Sequence, residues 1–340
     1  MSQTKWHDAT ELTIEGRGWA DAPGPYDRLP ERAKGVVPES VWDLSRHSAG
    51  LCVRFRTDAP AISVRWSLTN DMMAMPHMPS TGVSGIDLYR RETDGRWRFV
   101  QNGPPAGKDG NVMEAAVGPA PAPREYLLYL PLYNGVSKVE IGVPTGAQIE
   151  PGAPRPAAKA RPIVIYGTSI VQGGCASRPG LAWTAIVGRQ LDRPVVNLGF
   201  SGSGRMEPEV ARFIAELDPA VFVIDCLWNV SGEKEALVES RVETLARTIR
   251  ASQPKTPILF VGQSFTHVEQ QPTPASRWQE KAVRALEAEH VTGLYVEPGD
   301  RLVGGGGEGT VDGVHPNDLG MMRQAECLVP ALRRLLRSRQ

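Results

Sequence analysis

Ile163-Val-Ile-Tyr-Gly-Thr-Ser-Ile-Val-Gln-Gly-Gly174 begins as an apolar run, stops on Gly-Thr-Ser, and continues into further glycines. An apolar run bounded by turn residues reads as a buried strand. The hydroxyl at its carboxyl end has two readings. Ser169 either caps the next helix, a common task for serine, or serves as a nucleophile. The rest of the chain decides between them. Downstream, apolar segments at Val195–Leu198, Val221–Asp225, Ile258–Gly262 and Leu294–Val296 alternate with helical spacing. Trp183, Ile186, Val187 and Leu191 begin the helical series, Val210, Phe213, Ile214 and Leu217 continue it, and Val238, Val242, Leu245 and Ile249 follow. This βαβ alternation predicts an α/β unit with a parallel sheet of about five strands, helices covering both faces. Ligands of such sheets bind beyond the carboxyl ends of the strands, where Ser169 stands.

The first half has a period of two instead. Leu51, Val53 and Phe55 alternate with Cys52, Arg54 and Arg56; Ile62 to Leu68 and Val139 to Val143 behave alike. Gly85-Ile-Asp-Leu-Tyr89 and Arg96-Trp-Arg-Phe-Val100 flank Asp94-Gly95, a hairpin signal. Short strands, frequent turns and no convincing helix predict an antiparallel β-sandwich of jelly-roll-like kind. Between the halves, Pro144 to Pro162 is too rich in proline to be expected in a ladder. The expected plan is an extension over 1–24, a sandwich over 25–145, a linker over 146–161 and the α/β domain over 162–340.

Composition narrows the function. Lys plus Arg and Asp plus Glu are 38 each, so no excess of charge points to a nucleic acid. The first thirty residues lack an apolar signal region and no run is long enough to span a membrane, which reads as a cytoplasmic protein. Cys52, Cys175, Cys226 and Cys327 form no Cys-x-x-Cys pair, and His-Glu-x-x-His is absent. Reduced thiols and neither metal nor cofactor are expected.

A serine nucleophile needs a base, an orienter for that base, and donors for the oxyanion. Of the six histidines, only His315 carries a carboxylate in its own short loop, Asp312-Gly-Val-His-Pro316. Gly313 permits the bend that brings Asp312 to the imidazole, and Pro316 suits the first turn of a helix. An ordinary Asp-Gly turn before a helix is the competing reading. Oxyanion donors have two candidates, the loop Asn197-Leu-Gly-Phe-Ser-Gly-Ser-Gly204 and the amide of Asn229. A plain βα loop and a turn asparagine are their bland counterparts.

Serine, glycine loop, asparagine and Asp-x-x-His, in that order along one sheet edge, resemble the SGNH (GDSL-type) hydrolases. Gly-Thr-Ser169-Ile resembles the nucleophile block, with Thr168 where the family commonly has Asp. Gly202 matches the second block, Asn229 the third, and Asp312 with His315 the last. The third block reads Leu227-Trp-Asn229-Val230, without the frequent Gly and Asp. Tyr166-Gly-Thr-Ser-Ile170, Gly174-Cys-Ala-Ser-Arg-Pro-Gly180 and Gly85-Ile-Asp87-Leu-Tyr89 resemble a bacterial branch with an N-terminal Gly-x-Asp-Leu-Tyr sandwich. The resemblance implies a flavodoxin-like three-layer α/β/α catalytic domain and hydrolysis of short-chain, often acetyl, esters. It implies Ser169, Asp312 and His315 as catalytic residues, with Ser169 N–H, Gly202 N–H and Asn229 as oxyanion donors. The expected partner is a small-molecule ester, with an acyltransferase or a non-catalytic carbohydrate-binding protein as alternatives; the sequence leaves the oligomeric state open.

Other residues have weaker cases. Arg178 and Trp228 are candidate substrate contacts, although an Arg in this loop equally braces it through hydrogen bonds. Cys175 has no base of its own in sequence and reads as a small hydrophobe. Asp87 and Tyr89 read as fixing a turn or a domain interface, with sugar recognition as the alternative. Met72, Met73, Met75 and Met78 around Pro76 and His77 read as an adaptable apolar loop against the second domain, or as a soft ligand set. His267 follows the fourth parallel strand without an evident partner.

Overall fold

The computed structural model describes residues 3–264 and 271–337. His267 lies outside the described residues. The period-two half forms strands β1 (Thr4–Asp8), β2 (Thr13–Glu15), β3 (Cys52–Thr57), β4 (Ala61–Leu68) and β5 (Ile86–Arg91). It continues with β6 (Trp97–Gly103), β7 (Asn111–Ala116), β8 (Arg124–Tyr129), β9 (Val136–Pro144) and β10 (Ile149–Pro151). They pair antiparallel into two sheets, β1-β9-β4-β7 and β10-β3-β8-β5-β6, with β2 also on β3. Val53, Phe55, Leu88 and Leu128 from one sheet meet Ile62, Val64, Trp66, Val139 and Ile141 from the other in a shared core. Each such side chain contributes about 1.5–3 kcal/mol by leaving water.

Three expectations are corrected here. The stretch 1–24 supplies strands β1 and β2, so it belongs to the sandwich. The proline-rich segment does join a ladder, because Ile149–Pro151 pairs with Thr57–Phe55 at the sheet edge, where proline is tolerated. Helices also occur in the first half, α1 (Glu39–Ser45) and the single turn α2 (Ser80–Val83). Only Val41 and Ser45 of α1 are buried, too few positions to leave a helical period in the sequence.

After α3 (Ala157–Ala160) come the parallel strands β11 (Ile163–Gly167), β12 (Val195–Gly199), β13 (Val221–Asp225), β14 (Ile258–Val261) and β15 (Leu294–Glu297). Their order is β12-β11-β13-β14-β15. The helices are α4 (Ser169–Gln172), α5 (Trp183–Leu191), α6 (Pro208–Ala215), α7 (Glu235–Ser252), α8 (Pro274–Ala288) and α9 (Asp318–Arg337). Successive strand residues point to opposite faces. Val164, Tyr166, Phe222 and Ile224 pack with Val210, Leu245 and Val283 of α6, α7 and α8. Ile163, Ile165, Val221 and Val223 pack with Trp183, Ile186, Leu328 and Leu332 of α5 and α9. The result is the expected three-layer α/β/α arrangement.

The outer face of the larger antiparallel sheet is covered as well. Cys52, Tyr89, Leu127 and Tyr129 pack against Ala185 of α5. For this reason Cys52 and Arg54, on the polar side of the alternation, are buried, and Arg54 is neutralised by Glu15 at 2.8 Å and Glu125 at 2.6 Å. Among the described residues no helix is long and apolar enough to cross a membrane.

Candidate active site

The register of the parallel sheet assembles the site. Gly167 of β11 lies opposite Gly199 of β12 on one side and Asp225 of β13 on the other. The residues just past these three strand ends, Ser169, Gly202 and Asn229, therefore gather at one sheet edge. Ser169 is not the cap of α4. Thr168 is, its Oγ1 accepting from the N–H of Ile170 at 3.2 Å. That frees the Ser169 hydroxyl, whose Oγ lies 2.9 Å from Nε2 of His315.

The Asp312–His315 loop is closed by its own hydrogen bonds. Oδ1 of Asp312 accepts from the N–H groups of Val314, at 3.0 Å, and His315, at 2.8 Å, while Oδ2 lies 2.7 Å from Nδ1 of the imidazole. Burial pushes the Asp312 carboxyl up, but the His315 N–H and ring and the Val314 N–H outweigh it and hold it below its ordinary value. The group is thus a carboxylate at neutral pH. Pro316 pairs with Thr310 in a bridge, so the following helix starts at Asp318 rather than at the proline. Ser177 joins that helix to the loop that follows Ser169, its Oγ donating to Asp318 at 2.6 Å.

Gly202 adopts φ +70°, a conformation that side chains disfavour, and a Cβ there would meet open space. Gly204 is required for a different reason: a Cβ would lie 1.9 Å from the Gly167 carbonyl oxygen. Asn229 satisfies its amide with the oxygen accepting from the N–H groups of Ser203 and Gly204, each at 3.1 Å, which leaves its NH2 as the free donor. Among the described residues, no protein acceptor takes the N–H of Ser169 or of Gly202.

Several supports have no signature in the sequence. Gln172 accepts from the Ser201 N–H at 3.0 Å and donates to the Leu132 carbonyl at 3.1 Å; its Nε2 lies 3.2 Å from Nδ1 of His47. Burial, with Arg28 nearby, pushes His47 down to about 4, so that ring is neutral. Tyr133 donates to the Ser169 carbonyl at 3.3 Å. Arg28 is fully buried and donates to the carbonyls of Asn197, at 3.2 Å, and Gly199, at 2.7 Å, on the open edge of β12. These contacts hold the start of the Gly202 loop from the sandwich side. Asp225, buried beside the Thr168–Ser169 turn and held by Gln324 at 3.0 Å, is pushed up to about 7 by burial despite that bond.

Arg178 and Trp228, the candidate substrate contacts, are each held by other protein groups. Nη1 of Arg178 donates to Asp87, at 2.8 Å, and to the Tyr89 hydroxyl, at 2.7 Å, and its guanidinium lies over Phe99. Asp87 is wholly buried and also accepts from the Gly180 N–H at 2.8 Å. The Gly-x-Asp-Leu-Tyr signature is therefore the clasp between the sandwich and the loop that follows Ser169. The Trp228 indole N–H donates to Ser264 at 2.6 Å, bridging the ends of two strands. Burial, with Asp312 beside it, pushes the Cys175 thiol up to about 12, which leaves it un-ionised at neutral pH. Arg178→Met should therefore lower stability by about 3 kcal/mol, because it leaves a buried carboxylate without its cation. Denaturant unfolding checks the loss; an unchanged midpoint with a raised KM would return Arg178 to the substrate.

Comparison with known families now bears on this geometry. The model of the GDSL-like lipase/acylhydrolase family matches residues 160–333, and that of the GxDLY N-terminus of SGNH-hydrolase-type esterases matches residues 4–149. The chain belongs to the GDSL-like lipase/acylhydrolase family. As a GDSL-like acylhydrolase it is a carboxylic ester hydrolase. It is 33% identical to a protein from Bacteroides ovatus described as a GDSL-like lipase, with 98% of each chain covered and a TM-score of 0.87. The fold is shared with the salicylyl-acyltransferase SsfX3 from a tetracycline biosynthetic pathway, at 19% identity, 98% and 97% coverage and a TM-score of 0.78. It is shared too with a family two carbohydrate esterase from Cellvibrio japonicus, at 13% identity, full coverage of both chains and a TM-score of 0.58. A comparison with curated proteins gives no significant match. In this GDSL-like chain Thr168 takes the cap position where the broader family commonly has Asp, another good cap.

Proposed function

We propose that the chain removes short acyl groups, acetyl foremost, from a carbohydrate or related small ester through an acyl-enzyme on Ser169. The observation that carries this is the Ser169–His315–Asp312 chain of contacts, 2.9 Å and 2.7 Å long. Ser169 Oγ attacks the ester carbonyl as His315 Nε2 takes its proton, and the Asp312 carboxylate stabilises the imidazolium. The N–H groups of Ser169 and Gly202 and the Asn229 amide receive the negative charge of the tetrahedral intermediate. His315 returns the proton to the leaving alcohol, and water repeats the sequence to release the acid. The carbohydrate part of the reading draws on fold relatives named as carbohydrate esterases.

A fluorescent organophosphonate should label the chain, with peptide mapping placing the adduct on Ser169. A panel of acetylated mono- and oligosaccharides against other short esters then tests the substrate class, and faster turnover of non-sugar esters would overturn that part. Asn229→Ala should lower kcat about a hundredfold with little change in KM, since one oxyanion donor is lost. Unchanged kcat would remove Asn229 from the mechanism.

A second reading, acyl transfer, is favoured by the nucleophile's seclusion, Ser169 being 7% exposed. The same acyl-enzyme would then be captured by an alcohol. Product analysis with a competing alcohol separates the two readings, ester product marking transfer and free acid marking hydrolysis.

A further inference from the structure

We propose that His77, Cys175 and His315 form an inhibitory binding site for a borderline divalent transition metal, with Zn2+ as the probe. One ligand atom from each residue lies within 4.8 Å of the other two. The three residues come from separate stretches, and the fold pins each in place. His77 stands at the tip of the turn Met75–Met78, closed by the Met75 N–H to the Met78 carbonyl at 2.9 Å and the converse bond at 3.1 Å. Met78 is buried, and Met75 packs on the same apolar cluster that contains Cys175. The methionine-rich loop thus lies against the second half of the chain, as an apolar loop would, and its histidine faces the catalytic one. The two rings are 5.7 Å apart between centroids. Cys175 is buried, and its N–H donates at 3.0 Å to the carbonyl of Pro316, the residue after His315.

Two imidazoles and a thiolate suit zinc and its neighbours, whereas magnesium and calcium take oxygen ligands. Bonds of about 2.0–2.3 Å to a tetrahedral ion place ligand atoms roughly 3.5 Å apart. The set must therefore contract by roughly 1 Å on binding, and exposed His77 on its turn is the member free to move. Three protein ligands leave a fourth position for water or a substrate oxygen. On binding, the Cys175 S–H bond is replaced by a sulfur–metal bond and the proton passes to solvent. His315 has two ring nitrogens, one facing Ser169 and the other Asp312. Whichever of them the metal takes, one of these two contacts is lost and proton transfer stops. The inhibitory part rests on the proposed role of His315; binding itself does not.

The test titrates ZnCl2 into the full chain in a non-chelating buffer while following hydrolysis of an activated acetyl ester. Inhibition reversed by EDTA is expected, and His77→Ala and Cys175→Ser should each need at least tenfold more Zn2+ while keeping their metal-free activity. In parallel, Co2+ should give a thiolate-to-cobalt charge-transfer band in the parent chain that Cys175→Ser abolishes. Equal zinc sensitivity of parent and variants, or no such band, overturns the site. Should Cys175→Ser fail to fold, the surface variant His77→Ala decides alone. A chain that shows the band but hydrolyses no ester would keep the metal site and sink the proposed function.

Discussion

Ser169→Ala should lower the hydrolysis of an activated acetyl ester about a millionfold, the loss expected when a nucleophile acting as a unit with its base is removed. The alanine lacks the oxygen that lies 2.9 Å from His315. Cys175, whose sulfur lies within 4.8 Å of a ring nitrogen of His315, keeps its proton because burial and Asp312 disfavour the thiolate. The residual rate comes from the oxyanion donors, which still orient and polarise a bound ester. The variant should be folded, since Thr168 rather than Ser169 caps α4. Steady-state hydrolysis by both chains, with circular dichroism to confirm folding, makes the measurement. Parent-like turnover by Ser169→Ala would defeat the covalent mechanism.

Arg28→Met carries the largest expected loss of stability, about 4 kcal/mol, or some three orders of magnitude in the folding equilibrium. Arg28 donates to the carbonyls of His47, at 2.8 Å, Leu44, Asn197 and Gly199, and its guanidinium lies 5.0 Å from the Phe200 ring centroid. Burial pushes it down to about 9, so the side chain remains charged at neutral pH. Met fills much of the space but supplies no donor, and each stranded buried acceptor costs about 1–3 kcal/mol. Strand β12 is the outermost of its sheet, and Arg28 covers the carbonyls that no neighbouring strand takes. Guanidinium unfolding should show the earlier midpoint, with Arg28→Lys recovering part of it. A midpoint within experimental error of the parent's would show that water reaches those carbonyls.

The parallel sheet is legible in the sequence because strands covered on both faces are apolar throughout, as in Ile163 to Tyr166. Its observed strand ends fall within a residue or two of those the apolar runs suggest. The sandwich shows through its alternation, but β1 and β10 do not, since Thr4–Asp8 is half exposed and Ile149–Pro151 is an edge fragment ending in proline. At the site, Asp312 and His315 share a loop and announce their partnership locally. Their meeting with Ser169 spans 146 residues and is suggested only by the order of the blocks along the sheet. Arg28 illustrates what sequence hides: its bond to Asn197 spans 169 residues, and no local pattern distinguishes it from a surface arginine. Arg178 has a partner 91 residues away, Asp87, which the sequence marks only as part of a short signature.

The clasp between the two halves limits how this enzyme can be rebuilt. Arg28 grips β12, Asp87 holds Arg178 and Gly180, and Arg155 ties Glu15 to Asp192. A catalytic half grafted onto another carrier would bring along an open strand edge, an orphaned guanidinium and the bare flank of α5. Its chemistry is not portable; any redesign of the ester pocket has to keep the sandwich as part of the chassis.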